Sequence, residues 1–363
     1  MKKFLSLVLA VIMTMSLVTI SASAAEYKDF TDKDEIQYEE AVAVLNRLGI
    51  ITGYSEGDFR PEGELTRGAA AKIIVSLLIG PEAANNVSPT TAPYKDVPLD
   101  HAFAGVIAYC KTAGIISGYK DGSFQPGGTL TGYAFSKMLL GALGYKSDVE
   151  HFTGSGWNMN VNARAAEAGL FDRLSFKGND PVNREEAAQL ALNTLKATLV
   201  EYTGGMTVTT GDATVVGAQT RTYKISNQEY ATHIRNRKAS QVGNATGDTH
   251  YTVEFGEEHF VDLRMTHDRN ALDDFGRPSN EWSYKKVTIG TFPIEADKTY
   301  TEQVAHNVTT VTNASKARAL ELTGFKVNSN TTVTINGKTM DASNLKDVGQ
   351  IADYTDNGTR VEV

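Results

Sequence analysis

Cysteine is almost absent from this chain: Cys110 is the only one in 363 residues. That excludes an intramolecular disulfide framework, so stability must come from packed cores, and the length allows two or three of them. After residue 24 no apolar run is long enough to span a bilayer. Bases are outnumbered and unclustered, with 35 Lys and Arg against 43 Asp and Glu and a formal net charge of −8. Such a balance makes a poor nucleic-acid binder. HExxH, GxSxG and phosphate-loop signatures are all missing, and no catalytic residue, metal or other cofactor is assigned. Paired carboxylates for glycoside cleavage need no local motif and stay open.

What is present begins with Met1–Ala24. Lys2 and Lys3 precede an apolar run from Phe4 to about Ile20, and Ala22-Ser23-Ala24 follows. This is the layout of a secretory signal peptide. Its removal would leave 43 acids against 33 bases. The C-terminal GTRVEV resembles the middle of a strand, as expected of a fragment of a longer protein. An exported chain lacking a covalent or membrane anchor is either released or held by non-covalent binding.

The strongest signal is internal repetition. Gly49–Arg67 reads GIITGYSEGDFRPEGELTR, and Gly114–Gly132 reads GIISGYKDGSFQPGGTLTG, displaced by 65 positions. Each copy lies between two helical patterns. In the first unit Ala41, Val44, Leu45 and Leu48 form one buried helical face, and Ala70, Ile73, Ile74 and Leu77 the other. Gly49 is the expected C-cap, Phe59 the plug of the loop into the core, and Thr66 the N-cap of the second helix. The second unit repeats this with Phe103, Val106, Ile107 and Cys110, then Phe135, Met138, Leu139 and Ala142. Cys110 is therefore expected as a small core residue. Phe30-Thr31-Asp32 and Tyr94-Lys95-Asp96 open the two units, and residues 81–93 read as a linker.

A third unit is degenerate. Phe152-Thr153-Gly154 stands where the aromatic-x-Asp element was, and Trp157, Val161, Ala165 and Ala168 mark a first helix. The following loop lacks the Gly-Tyr…Gly-x-Phe-x-Pro core. Asn183 and Glu186 recover a helix start at capping-box spacing, ahead of Ala188, Ala191, Leu192 and Leu195. Beyond about residue 200 the pattern turns to strands. MTVTTGDATVV and YTVEF alternate, Asn336-Gly337 signals a hairpin, Trp282 and Tyr284 read as core or half-buried sheet, and Ser315–Leu322 is a lone helical candidate. Tyr202–Gly205 reads as a linker. The densest His/carboxylate group, His259, Asp262, His267 and Asp268, reads as strand and surface residues rather than a metal site.

Three units with an aromatic-x-Asp opening, a GIxxGY…GxFxP loop and a Thr-Arg helix start resemble S-layer homology domains, over residues 27–200. The expected fold class is α+β and multidomain: a signal peptide (1–24), repeats at 25–80, 94–145 and 146–200, and a β-rich domain at 206–363. The resemblance implies that the repeats form one all-α pseudo-threefold module. It also implies that the grooves between units bind secondary cell-wall polysaccharide, often through a sugar carrying a pyruvate ketal. Asp273–Phe292 is similar to a stretch that follows such triplets in clostridial-type surface proteins.

The residue chemistry fits that implication. A ketal carboxylate is planar, and a guanidinium can grip it with two parallel hydrogen bonds. Arg67 and Arg184 each follow a helix N-cap, beside free amides and the positive end of the helix dipole. Thr66, Thr131 and Asn183 are those caps. Asp32 and Asp96 suit sugar hydroxyls as acceptors, or else form turns by bonding backbone. Tyr54 and Tyr119 offer apolar faces or hydroxyls. Trp157 reads as core rather than as a sugar platform. Gly132 replaces the arginine in the second unit and Gly154 the aspartate in the third, so one or two competent grooves are expected.

The expected protein is therefore an extracellular, wall-anchored S-layer or coat component, with self-association into a lattice as a further expectation. A wall-anchored enzyme such as a polysaccharide hydrolase, or an adhesin or scaffold, remains the alternative.

Overall fold

The structure, a computed structural model, describes residues 26–175, 177–205, 207–210, 213–227, 233–234, 249–266, 271–274, 277–294, 299–301, 334–335, 338–339 and 360–362. The signal-peptide stretch 1–24 and the helical candidate Ser315–Leu322 lie outside these residues. The fold is α+β, with helices up to Lys196 and, after it, small antiparallel sheets with one short helix among the described residues. Two compact units emerge, and neither is one continuous stretch. The first runs up to Met138 and includes Arg173–Ala191; the second holds Leu139–Asp172 and the chain from Leu192 onward.

In each repeat the first helix ends in the same way. Glu39–Arg47, Ala104–Thr112 and Trp157–Glu167 are followed by Gly49, Gly114 and Gly169, with φ of +72°, +71° and +75°. The two orphan carbonyls of a Schellman motif are satisfied every time: Gly49 N–H donates to Asn46 (2.9 Å) and Ile50 N–H to Leu45 (2.9 Å). Gly114 and Ile115 do the same to Lys111 and Cys110, and Gly169 and Leu170 to Ala166 and Ala165. The expected helix faces are buried throughout, except that Phe103, Trp157 and Ala168 are half-buried. Residues 81–93 are not all linker, because Pro81–Asn86 is a short helix with Pro81 at its first position and Ala84 buried.

The aromatic-x-Asp opening has a definite job in the first two units. Phe59 and Phe124, both 1% exposed, enter the core as plugs. Phe30 stacks on Phe59 with centroids 5.6 Å apart, and Tyr94 on Phe124 at 5.3 Å. The residue after each plug is left-handed: Arg60 and Gln125 both have φ of +58°. That conformation is costly for a non-glycine residue. The aspartate offsets it. Asp32 accepts from the amides of Phe59 (2.8 Å) and Arg60 (2.6 Å), and Asp96 from those of Phe124 (2.8 Å) and Gln125 (2.7 Å). Close approach explains Gly53 and Gly118 as well. A Cβ at Gly118 would stand 2.3 Å from the Tyr94 ring, and one at Gly53 2.6 Å from the Phe30 ring.

In the second compact unit, a buried polar cluster ties the end of the third repeat's first helix to the first β-hairpin. Glu150, 9% exposed, accepts from Arg164 (2.6 Å) and from the Tyr202 hydroxyl (2.7 Å), with Arg221 at 3.4 Å. Arg221 also reaches Glu167 (2.7 Å) and lies over the Tyr145 ring. Tyr202–Gly205 is therefore no linker. Val200–Gly204 is a strand paired with Gln219–Tyr223, and Gly144 packs so closely on Val200 that a Cβ there would lie 2.4 Å from its carbonyl oxygen.

Further on, Thr207–Thr210 pairs with Ala213–Val216, as the alternating MTVTTGDATVV pattern predicts. The YTVEF run splits instead: His250–Thr252 is a strand, but Phe255–His259 is a helix opened by a Glu254/Glu257 capping box. His259 thus stands on a helix and not on a strand, and His267 and Asp268 lie outside the described residues. Ser279–Tyr284 and Val287–Pro293 form a hairpin turned by Lys285 and Lys286, both at positive φ. Trp282 is fully buried and Tyr284 half-buried. Thr334–Ile335 pairs with Lys338–Thr339, leaving two residues between the strands, as the Asn-Gly signal requires.

Two outcomes follow. Burial pushes the Cys110 thiol up to about 12, so Cys110 should stay unlabelled by a maleimide in the native protein and react only on unfolding. Burial also works to raise the Asp96 carboxyl, but the amides of Phe124 and Gln125 outweigh it and hold the group below its ordinary value. Asp96→Ala should cost about 1–2 kcal/mol in urea unfolding at neutral pH, a charged hydrogen-bond pair discounted for solvent. Because the folded value is depressed, this difference should persist at mildly acidic pH. It should close only as the pH falls through that value.

Candidate functional site

The starts of the second helices and the Gly/Pro loops interlock across repeats. Arg67 and Gly68 donate their amides to Gly128 (2.9 Å) and Pro126 (2.8 Å) in the second loop. Gly132 and Tyr133 donate to Asp180 (3.1 Å) and Gly178 (2.7 Å) in the third. Arg184 closes the series by donating to Gly63 (2.8 Å) in the first loop, with Glu185 directed to Pro61 (3.2 Å). At the centre Leu65 N–H donates to Val182, and Val182 N–H to Leu130, both at 2.9 Å, with all three side chains buried. The amides at a helix start need outside acceptors, and here the neighbouring repeat supplies them.

The caps sit where the spacing puts them. Thr66 Oγ1 accepts from Ala69 N–H and Thr131 Oγ1 from Ala134 N–H, each at 3.3 Å. Asn183 forms the full reciprocal box, accepting from Glu186 N–H (2.8 Å) and donating its own amide to the Glu186 carboxylate (2.9 Å).

Each arginine follows its cap into the neighbouring loop. Arg67 Nε donates to the Phe124 carbonyl (2.8 Å) and Nη2 to Ser117 (3.5 Å), with the guanidinium 4.4 Å from the Phe124 ring centroid and 5.0 Å from that of Tyr119. Arg184 Nε donates to the Phe59 carbonyl (2.9 Å) and Nη2 to Thr52 (3.0 Å), 4.7 Å from the Phe59 ring and 4.8 Å from the Tyr54 ring. The same geometry thus occurs twice, at homologous positions. A guanidinium has five N–H donors. The carbonyls engage Nε and one N–H of Nη2, so among the described residues Nη1 and the other N–H of Nη2 have no hydrogen-bond partner. Aromatic stacking holds the plane.

Among the described residues, neither Arg67 nor Arg184 meets a carboxylate at ion-pair distance. Arg47, Arg60, Arg164, Arg173, Arg221 and Arg277 all do. Burial lowers the pKa of Arg184 from its ordinary value, opposed by nearby Tyr54. An arginine stays protonated regardless. The result is a fixed, half-buried guanidinium with no direct ion pair among the described residues. Tyr54 and Tyr119 are 43% and 47% exposed beside them.

Asp32 and Asp96 belong to the same loops but do a different task. Both oxygens of each accept a backbone amide, the turn-forming task. Two contributors were not visible in the sequence. Arg60, bonded to Asp58 (2.7 Å), lies 4.1 Å from the Tyr54 centroid. Glu185, 2% exposed, accepts from Gln37 (2.7 Å) and Tyr38 (3.3 Å), capping the first helix of the first repeat. No local spacing marks that role, since its partners lie 148 and 147 positions away.

Comparison with known proteins agrees with this architecture. Residues 29–71 and 93–132 match the S-layer homology domain. The chain carries two S-layer homology domains. Its repeats place it outside the cell, in association with the wall. Over 209 residues it is 28% identical to a "Cell surface protein" of Thermoanaerobacter kivui, covering 57% of this chain and 26% of that one. It is 28% identical over 204 residues to a "Surface layer protein" of Brevibacillus choshinensis, covering 55% and 17%. A "Cellulosome-anchoring protein" of Acetivibrio thermocellus is 33% identical over 105 residues, covering 28% and 23%. The chain spans about a quarter or less of the length of these relatives.

Glu185 gives a test of the closing junction. Burial raises its carboxyl above the ordinary value of 4.5, against the pull of the Gln37 and Tyr38 amides. Glu185→Ala should cost about 1–3 kcal/mol, the scale of orphaned buried donors. Glu185→Gln keeps an acceptor. A carboxyl raised on folding loses stability as the pH climbs from its unfolded value through its folded one. Glu185→Gln should therefore gain relative to the wild type as chemical-denaturation midpoints are followed upward from pH 4.

Proposed function

We propose that the three repeats of this S-layer homology protein act as one pseudo-threefold module that anchors it non-covalently to the cell wall. The ligand is an anionic secondary cell-wall polysaccharide, carrying its charge as the carboxylate of a pyruvate ketal. One observation carries the reading: Arg67 and Arg184 are held rigidly by neighbouring-repeat carbonyls and aromatic rings, yet have no carboxylate of their own. A planar carboxylate meeting Nη1 and Nη2 would form two parallel charged hydrogen bonds. Tyr119 and Tyr54 would line the sugar beside it. Gly132 offers no guanidinium, so the second repeat contributes no anion grip to the third.

The β-rich half is then displayed outward as part of a surface coat, and self-association into a lattice is its further role. The names of the relatives, a surface layer protein and a cellulosome-anchoring protein among them, support a wall-anchored surface component over a catalytic one.

The full chain should co-sediment with walls of its own host and stay in the supernatant once the secondary polymer has been stripped from them. Arg67→Ala combined with Arg184→Ala should weaken sedimentation by about 3 kcal/mol, roughly a hundredfold. Undiminished binding to stripped walls would show that the repeats are scaffold only.

A further inference from the structure

The two arginine positions share a geometry but not a setting. Loop residues 52–64, which receive Arg184, contain Glu56, Asp58, Glu62 and Glu64 against the single base Arg60, a local balance of −3. The homologous residues 117–129, which receive Arg67, contain only Lys120 and Asp121 and are neutral. Position by position, Asp58 is replaced by Ser123, Arg60 by Gln125, Glu62 by Gly127 and Glu64 by Thr129.

Contacts sharpen the difference. Arg60 is held at Tyr54 by Asp58 (2.7 Å) and Glu56 (3.4 Å), so its charge is already matched. Tyr54 therefore carries two guanidinium groups, Arg60 and Arg184, whereas among the described residues Tyr119 carries Arg67 alone. Glu62 lies at the Arg184 helix start, accepting from Asn183 Nδ2 (3.3 Å), and Glu62 and Glu64 are exposed. In the Arg67 loop Asp121 is taken up by Lys95 (2.9 Å) and by the Ser123 amide and hydroxyl.

We infer that the Arg67 groove is the principal anion subsite, and that the acidic loop residues Glu62 and Glu64 hold the Arg184 groove to weak, salt-dependent binding of the same carboxylate-bearing glycan. This rests on the proposed function above and assigns unequal roles within it. The physical reason is long-range repulsion. Single unit charges interact weakly across water, but the net −3 of residues 52–64, to which Glu62 and Glu64 contribute two charges, acts as a whole, and salt screens it over about 8 Å at 0.15 M.

The test is titration of the full chain with a methyl glycoside bearing a pyruvate ketal, at 0.02 M and 0.5 M sodium chloride. Arg67→Ala should lose about tenfold or more of the affinity at low salt, and Arg184→Ala about threefold or less. In the Arg67→Ala background, Glu62→Gln with Glu64→Gln should recover several-fold at low salt and almost nothing at high salt. Both carboxylates are exposed, so this pair should leave thermal unfolding unchanged. An equal or greater loss from Arg184→Ala, or no recovery by the glutamines, would overturn the inequality while leaving the anchoring reading in place. No change from either arginine would overturn both.

Discussion

The amides of Leu65, Arg67 and Gly68 have no acceptor within their own repeat; Val182, Gly128 and Pro126 take them up. Buried or half-buried main-chain donors left without partners cost on the order of 1–3 kcal/mol each. One repeat standing alone would orphan several at once. The repeats therefore specify one another, and the loops that look like variable surface in a linear reading form the interface. That dependence accounts for the precision of the loops. Asp32 and Asp96 hold a left-handed residue in place so that the next carbonyls, at Pro61 and Gly63 or Pro126 and Gly128, face the neighbouring helix start. The arginines use the same loops, donating to the carbonyls of the plug phenylalanines Phe59 and Phe124. Scaffold and candidate site thus share the Phe carbonyl.

Much of this was legible because it is local. A helix face has a fixed period, a Schellman glycine a fixed place, and a capping box a fixed spacing, so Val44, Gly49, Gly114 and the Asn183–Glu186 pair could be located from the chain alone. The 65-residue offset then tied Phe59 to Phe124 and Thr66 to Thr131. What escaped was whatever depends on distant partners. Asp32 could serve sugar or backbone, and only the approach of Phe59 and Arg60, 27 and 28 positions on, reveals its backbone role. Glu185 is an ordinary second helical residue until Gln37 arrives. Tyr202–Gly205 carried the glycines of a linker, yet Arg221 and Glu150 recruit Tyr202 into a strand.

The third repeat shows which parts of the motif are structurally required. It has lost the aromatic-x-Asp clamp and the Gly-Tyr loop core, and it lies outside the matched S-layer homology stretches. It keeps Val182, Asn183 and Arg184, the residues through which it engages the first and second repeats. Its own loop need only present the carbonyls of Gly178 and Asp180 to Gly132 and Tyr133, and Tyr133 packs on Gly178 so closely that a Cβ there would lie 2.3 Å from its ring. No arginine comes from the second repeat, so no plug carbonyl or tyrosine is needed to receive one. The missing Arg at position 132 and the missing loop core in the third repeat are two sides of one loss. A guanidinium with no aromatic cradle would be a solvated charge, and a cradle with no guanidinium would be exposed apolar surface. The first helix of this repeat belongs to the other compact unit. There Arg164 and Glu167 meet Glu150 and Arg221, and the repeat's remaining specificity is directed to the β-hairpin that follows it.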